Sequence, residues 1–281
     1  MPELPEVETV RRTLLPHLVG QMITGVEVLR STQLKNVSPE VLKEKLTGKE
    51  IRDVGRRGKY LLIYLSQGEV LVVHLRMTGR LLFYAEGHEV TPHTRLLIEL
   101  IPPAELHLHD VRSFAMVFLL PKAEECSLPG IAALGPEPLS ADFTPAGLAA
   151  ALARHRSPIK NILLGQRVVA GLGNIYVDEA LFRAGINPLR SANSLTAAEV
   201  GRLFQAIRTV LADALGSGGT SIRDYVNGHG VPGAFQQKLA VYGRKGHPCR
   251  RCGTTLVGER IGGRSTVYCP LCQPNSAKSV K

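Results

Sequence analysis

Cys249-Arg-Arg-Cys252-Gly253-Thr-Thr-Leu-Val-Gly-Glu-Arg-Ile-Gly262-Gly263-Arg264-Ser-Thr-Val-Tyr-Cys269-Pro-Leu-Cys272 holds two Cys-x-x-Cys pairs with sixteen residues between them. Four thiolates at this spacing can converge on one tetrahedral Zn²⁺. The insert reads as a hairpin: Thr-Thr-Leu-Val, a turn around Gly262-Gly263-Arg264, then Ser-Thr-Val-Tyr. It is too short and polar to bury enough apolar surface without the metal. A redox dithiol pair or a disulfide staple is the other use of such cysteines, but the hairpin insert favours a zinc ribbon. Sulfur then fills all four coordination positions, so the single ion is structural.

Around this array the charge is lopsided. The chain has 281 residues and a net charge of +10. From Lys238 to Lys281, nine Lys or Arg face one acid, Glu259, so eight of those ten charges sit in and beside the cysteine array. Such a footprint points to phosphate, and nucleic acid is the expected partner. With 44% hydrophobic and 21% charged residues the chain is globular. Its length allows two domains and a small appended module. No apolar run approaches the ~20 residues that span a bilayer, and Glu3, Glu6 and Glu8 stand where a signal peptide would be basic. No membrane partner is expected. A reducing cytoplasm fits the cysteine usage, with Cys126 read as a buried small hydrophobe.

The N-terminal half reads mostly as strands. Pro5–Leu18 is a short helix with Pro5 in its first turn, and 39–46 is another, with Ser38 as N-cap and Gly48 as its stop. Strands are expected at 22–29, 51–55, 60–65, 70–75, 80–84, 95–100, 106–109 and 114–119. Their spacing of about ten residues suggests a sandwich rather than a βαβ array. A Pro-, Gly- and Glu-rich stretch over 121–138 reads as a linker. Beyond it, Thr144-Pro145 and Ser157-Pro158 each look like a cap followed by a first-turn proline, and Thr196 with Glu199 is a capping box opening a helix to about Leu215. Six glycines between Gly216 and Gly233 predict a mobile loop.

The start, Met1-Pro2-Glu3-Leu-Pro-Glu6, can carry chemistry. Removal of Met1 would expose Pro2 as a secondary amine, and unperturbed α-amino groups titrate at about 7.7–8.0, leaving a neutral nucleophilic fraction near pH 7. Attack on a sugar C1′ would expel the base and leave a cationic iminium, an electron sink that acidifies the neighbouring carbon for β-elimination of phosphate. Glu3 is placed to exchange protons with the opening sugar. Taken alone, Pro-Glu at a chain start is merely a helix lead-in whose acids favour the helix dipole.

The run Met1-Pro-Glu-Leu-Pro-Glu-Val-Glu-Thr-Val-Arg-Arg resembles the opening of bacterial formamidopyrimidine-DNA glycosylases. The likeness continues through Arg57-Gly-Lys59, His74-Leu-Arg-Met77-Thr-Gly79, 134–139, Gly171-Leu-Gly-Asn174, Gly218-Gly-Thr220 and Val241-Tyr-Gly-Arg244, and ends in the cysteine array. It therefore covers essentially the whole chain. The resemblance implies an α+β multidomain protein: an N-terminal β-sandwich with flanking helices over 1–120, the linker, a helical DNA-binding domain with a helix–two-turn–helix over 139–237, a zinc-finger hairpin over 238–273 and a basic tail over 274–281. It implies a monomeric base-excision repair enzyme in the bacterial cytoplasm, at the nucleoid. That enzyme would remove 8-oxoguanine and formamidopyrimidines from duplex DNA and cleave the abasic site by β,δ-elimination.

Carried over by position, Pro2 is the Schiff-base nucleophile, Glu3 the proton donor, Lys59 the second general acid or base, and Arg264 the catalytic arginine that grips the lesion phosphates and is linked to δ-elimination. A lesion must be flipped out of the stack, and Met77, Arg112 and Phe114 match the residues that fill the gap. His93, Lys160, Asn174, Thr220 and Tyr242 match further DNA contacts, with Gly171–Asn174 reading as a glycine turn into a helix N-terminus that suits an anion. Two positions depart from the pattern: Ala115 stands where glycine is usual, which puts the placement of Phe114 in question, and Arg95 replaces a histidine. The sister endonuclease VIII class, for oxidised pyrimidines, shares Pro2, Glu3 and the cysteine spacing; Leu4 and the Met77/Arg112/Phe114 set favour purines. A noncatalytic DNA-binding homologue is disfavoured by the intact Pro2, Glu3 and Lys59.

Overall fold

The computed structural model describes residues 1–275; the basic tail with Lys278 and Lys281 lies outside the described residues. The chain divides into two compact units: Met1–Ala132 together with Leu215–Gln236, and Ala133–Ala214 together with the residues from Gln237 onward.

In the first unit, α1 (Leu4–Leu18) is followed by β1 (Gly25–Val28), α2 (Pro39–Leu46), β2 (Ile51–Arg57), β3 (Tyr60–Leu65), β4 (Glu69–His74), β5 (Gly79–Tyr84), β6 (Thr94–Glu99), β7 (Glu105–Asp110), β8 (Met116–Pro121) and the single turn α3 (Pro129–Ala132). Two antiparallel four-stranded sheets form, in the orders β1-β6-β7-β5 and β2-β3-β4-β8. Alternation decides what each face meets. Leu61, Ile63, Leu71, Val73 and Val117 of one sheet share a core with Leu81, Leu96, Ile98, Leu106 and Leu108 of the other, and Val7, Val10, Leu14 and Leu18 of α1 close it. The intervening Leu62, Val70, Val72 and Phe118 pack outward with Ile131 of α3.

Ser38 caps α2 as expected, accepting the Val41 N–H at 3.3 Å. The last strand starts later than the sequence suggests. Ser113 adopts φ 57° and the Asp110 carboxylate accepts the Ala115 N–H at 2.6 Å, so 110–115 is a tight loop and Phe114 stands outside the ladder. Ala115 itself is not left-handed, and the missing glycine therefore costs the turn nothing. Cys126 is exposed, not buried, because it lies in a surface 3₁₀ segment, Lys122–Ser127, that buries no side chain.

The second unit holds α4 (Pro145–Leu152), α5 (Ile159–Leu164), α6 (Asn174–Ala184) and all of α7 (Ala197–Gly216) but its last two residues, which belong to the first unit, then the hairpin β9 (Val257–Ile261) and β10 (Arg264–Tyr268). Thr144 caps α4 and Thr196 with Glu199 caps α7. Ser157 does not cap α5: the Ser157 carbonyl accepts the Ala192 N–H and Pro158 bridges Ser191, so the pair is extended chain before the helix. Between α5 and α6 the chain runs without helix or strand over 165–173, with Gln166 and Gly171 at positive φ. Gly185 at φ 70° stops α6.

Candidate active site and metal centre

In the first unit, Glu3 is the N-cap residue of α1, and Glu3 and Glu6 form a reciprocal capping box in which the Glu3 N–H donates to Glu6 Oε2 at 2.8 Å. Pro2, Glu3 and Glu6 are all buried, whereas Met1 is 46% exposed. The other oxygen of Glu6 accepts the Thr220 N–H at 2.8 Å. The Tyr225 hydroxyl donates to the carbonyls of Glu6 and Gly218. A Cβ on Gly219 would sit 3.0 Å from Glu6, and one on Gly233 would sit 2.3 Å from the Gly219 carbonyl oxygen. Further along, Gly228 donates to Thr13 of α1 and accepts from Phe83 of β5. Gly219, Gly228 and Gly233 thus serve close packing, whereas a Cβ at Gly216 or Gly230 would meet open space.

Lys59 is buried at the turn from β2 to β3, where Gly58 takes φ 54°. A chain of arginines ties this turn to α1. Glu8 accepts hydrogen bonds from Arg11, Arg12 and Arg56, and Arg56 Nη1 donates to the Gly58 carbonyl at 2.8 Å. Burial alone would push the Glu8 carboxyl up, but hydrogen bonds from the three guanidinium groups outweigh it and hold the group at about 2. His74, opposite Tyr60 in the ladder, is pushed down to about 3, first by burial and then by the charges of Arg76 and Lys59. Its Nδ1 accepts the Arg76 N–H at 3.0 Å, so the neutral ring carries its proton on Nε2. Neither Glu8 nor His74 was picked out from sequence; membership in the quoted motifs was the only signal.

These shifts carry a pH signature. The unfolded His74 binds a proton below about 6.5 that the folded one refuses until about 3, and the unfolded Glu8 binds one below about 4.5 that the folded one refuses until about 2. Both stabilise the fold fully above about pH 6.5, and the contribution is lost as pH falls, His74 first. Between pH 6 and 4, His74 should cost about 1.4 kcal/mol per pH unit. Urea unfolding across this range should show His74→Asn flattening the slope by about one proton; an unchanged slope would remove His74 from the account.

At the loops joining the sheets, Met77, Arg112 and Phe114 come together. Met77 is 41% and Phe114 48% exposed, the Arg112 guanidinium lies 4.6 Å from the Phe114 ring centroid, and its Nη1 is 3.4 Å from Met77 Sδ. Two apolar side chains left this open on a packed sheet end are available to a partner. His93 is exposed on the β5–β6 connection, its carbonyl accepting the Asp110 N–H at 2.9 Å.

In the second unit the four Sγ atoms lie within 4.8 Å of one another, with Cys252–Cys269 at 3.5 Å and Cys249–Cys272 at 4.0 Å. Zn–S bonds of about 2.3 Å in a tetrahedron require S–S edges of about 3.8 Å, so these thiolates fit one zinc ion. Arg251 and Cys272 N–H groups point at Cys249 and Cys269 Sγ, and Val241, Leu256, Val267 and Phe182 pack around the knuckles. Gly262 and Gly263, both at positive φ, make the two-residue turn that pairs Ile261 with Arg264 and leaves Arg264 exposed.

Lys160, expected at phosphate, is fully buried. Its Nζ donates to Asp178 at 2.6 Å and to the Ser265 carbonyl at 2.9 Å. Asn174 Nδ2 donates to the same carbonyl, and Asp178 accepts the Val267 N–H. Lys160 therefore pins β10, and with it Arg264, onto α5 and α6 instead of presenting its charge to solvent. Deleting one partner of such a pair typically costs about 3–5 kcal/mol. Tyr242 is half-buried, and its N–H, with those of Ala240 and Val241, goes to the buried Glu179 carboxylate.

Family models match along the chain: the formamidopyrimidine-DNA glycosylase N-terminal domain over residues 1–117, its H2TH domain over 134–226, and the zinc finger found in FPG and IleRS over 246–275. A formamidopyrimidine-DNA glycosylase of Pelotomaculum thermopropionicum is 49% identical over 97% of this chain and 99% of its own. Two solved Lactococcus lactis Fpg structures are each 37% identical. One, bound to abasic-site DNA, has a TM-score of 0.92 over 97% of this chain and all of its own. The other, bound to DNA containing N7-benzyl-Fapy-dG, has 0.92 over 98% and all of its own.

Proposed function

The chain belongs to the formamidopyrimidine-DNA glycosylase family, and from that premise we propose how its residues excise oxidised purines from duplex DNA and cleave the strand left behind. It is a base-excision repair glycosylase for 8-oxoguanine and formamidopyrimidines, with one structural zinc held by Cys249, Cys252, Cys269 and Cys272. The observation that carries the residue assignment is the pair of ties around α1: Glu6 fixes the Pro2–Glu3 start, and Glu8 reaches through Arg56 to the turn bearing Lys59.

Removal of the exposed Met1 frees the Pro2 imino nitrogen. Its lone pair bonds to C1′, the C1′–N bond to the damaged base breaks, and the base leaves with that electron pair and a proton. Glu3 protonates O4′ as the sugar ring opens, leaving an iminium between Pro2 and C1′. A C2′ proton is then removed, with Lys59 as the acid–base group, and the 3′ phosphate departs. A second elimination expels the 5′ phosphate, and water hydrolyses the iminium to restore Pro2. The Met77, Arg112 and Phe114 cluster fills the space of the extruded nucleotide, offsetting an unstacking cost of a few kcal/mol. Arg264 holds lesion phosphates, supported by Asn174 and Tyr242, while Thr220 lines the flipped base and His93 the adjoining strand.

The substrate reading is tested by excision of 8-oxoguanine and thymine glycol from otherwise identical duplexes. Preference for 8-oxoguanine is expected; preference for the pyrimidine would move the chain to the sister class. Arg264→Ala should weaken binding to all sequences alike and lower the salt slope by about 0.9, one phosphate equivalent. A full salt slope in that variant would contradict the contact. Among the described residues no helix is long and apolar enough to cross a membrane. A monomer working on the nucleoid in the bacterial cytoplasm is part of the same proposal.

A further inference from the structure

Asp110 ends β7 with a side chain that is 0% exposed. Every polar group it has is used, and each goes to an element that bears one of the exposed probing residues. Oδ1 accepts the Thr78 hydroxyl at 2.5 Å, next to Met77. Oδ2 accepts the Ala115 N–H, next to Phe114. The Asp110 N–H donates to the His93 carbonyl, and the Asp110 carbonyl accepts the Ser113 N–H at 3.3 Å and Arg95 Nε at 2.8 Å. Thr78 Oγ1 closes the network by accepting the Arg112 N–H at 3.2 Å.

Arg95 is there because of a bulge. The β6–β7 register shifts between Thr94 and Leu96, so Arg95 is the unpaired residue. A bulge re-aims a side chain, and here the buried guanidinium reaches Asp110 with Nε and the Pro92 carbonyl with Nη1 at 2.9 Å. One carboxylate and one guanidinium thus bind the 75–79 loop, the 92–95 segment and the 110–115 loop into a single piece.

We propose that Asp110, with Thr78 and Arg95, is a positioning residue that holds Met77, Arg112 and Phe114 as one preformed wedge and registers it against His93. This rests on the reading of those three residues as the groups that replace an extruded nucleotide. A wedge that must be ordered during extrusion adds the entropy of fixing its loops to the cost of opening the pair. Ser113, left-handed without being glycine, is held in that state by the same hydrogen bonds.

Asp110→Asn is isosteric but puts an amide donor where the native oxygens face only donors, the Thr78 hydroxyl and the Ala115 N–H. It should lower excision of 8-oxoguanine from duplex DNA about 10- to 100-fold, and slow the fluorescence rise of 2-aminopurine placed beside the lesion to match. Cleavage of a preformed abasic site in single-stranded DNA, which has no pair to open, should change less than about 3-fold. Thr78→Val should reproduce the pattern and Thr78→Ser restore it, which covers the case in which Asp110→Asn does not fold. Equal losses on both substrates, or full duplex activity in Asp110→Asn and Thr78→Val, would overturn the proposal. The underlying wedge reading fails separately, if Met77→Ala and Phe114→Ala keep full duplex excision.

Discussion

Pro2→Gly should bind a lesion-containing duplex as tightly as the native chain yet lose at least about 100-fold in the rate of borohydride-trapped adduct formation. The binding surface is untouched by the change, since glycine keeps a terminal amine and Pro2 contributes only a buried ring. The loss is chemical. A secondary amine gives an iminium that is cationic by construction, whereas the primary amine of a terminal glycine gives an imine that is a strong electron sink only while protonated. Glycine also loosens the lead-in to α1, where the Glu3–Glu6 capping box now sets the geometry. Gel-shift titration and single-turnover trapping on one lesion duplex separate the two effects. Undiminished trapping would remove Pro2 from the role of nucleophile.

Stripping the zinc should be the other large effect. Structural zinc contributes about 10–16 kcal/mol in isolated fingers, comparable to or above the ~5–15 kcal/mol that holds a whole domain together. The hairpin has no comparable reserve. Its buried apolar contacts are few, Leu256, Val267 and the knuckle cysteines against Val241 and Phe182, and the Arg264 turn depends on the β9–β10 ladder. Metal analysis should return one zinc per chain. Chelation, or Cys269→Ser, should lower affinity for duplex DNA by about 100-fold or more at physiological salt, because several phosphate contacts are lost together. The His74-linked acid unfolding should persist, since that residue lies in the other unit. Native affinity after complete loss of the metal would show that the finger does not carry the phosphate grip.

What could be read from sequence was what is local. The cysteine spacing is a property of a short stretch of chain, and the sandwich strands follow one another at about ten residues with turns between, whereas the choice of Leu61, Ile63, Leu71 and Val73 for the shared core needs the fold. Ser38, Thr144 and Thr196 cap helices through bonds that span three residues. The errors and omissions lie where partners are distant. Lys160 matches a DNA contact by position, but its ligands, Asp178 and Ser265, are 18 and 105 residues away and leave no local signal. Nothing local marks Asp110, whose bonds gather residues 78, 93, 95 and 115. The glycines near 219 and 233 suggested freedom; they are required because a Cβ would collide with Glu6 or with backbone.

The central claim is that the chain's own second residue, exposed by loss of Met1, bonds to the deoxyribose of the lesion. Peptide mapping by mass spectrometry of the borohydride-trapped complex tests it directly. The account predicts a sugar-derived mass increment on an N-terminal peptide that begins at Pro2. An increment on Lys59 or any other lysine, or full activity in protein that retains Met1, would contradict it.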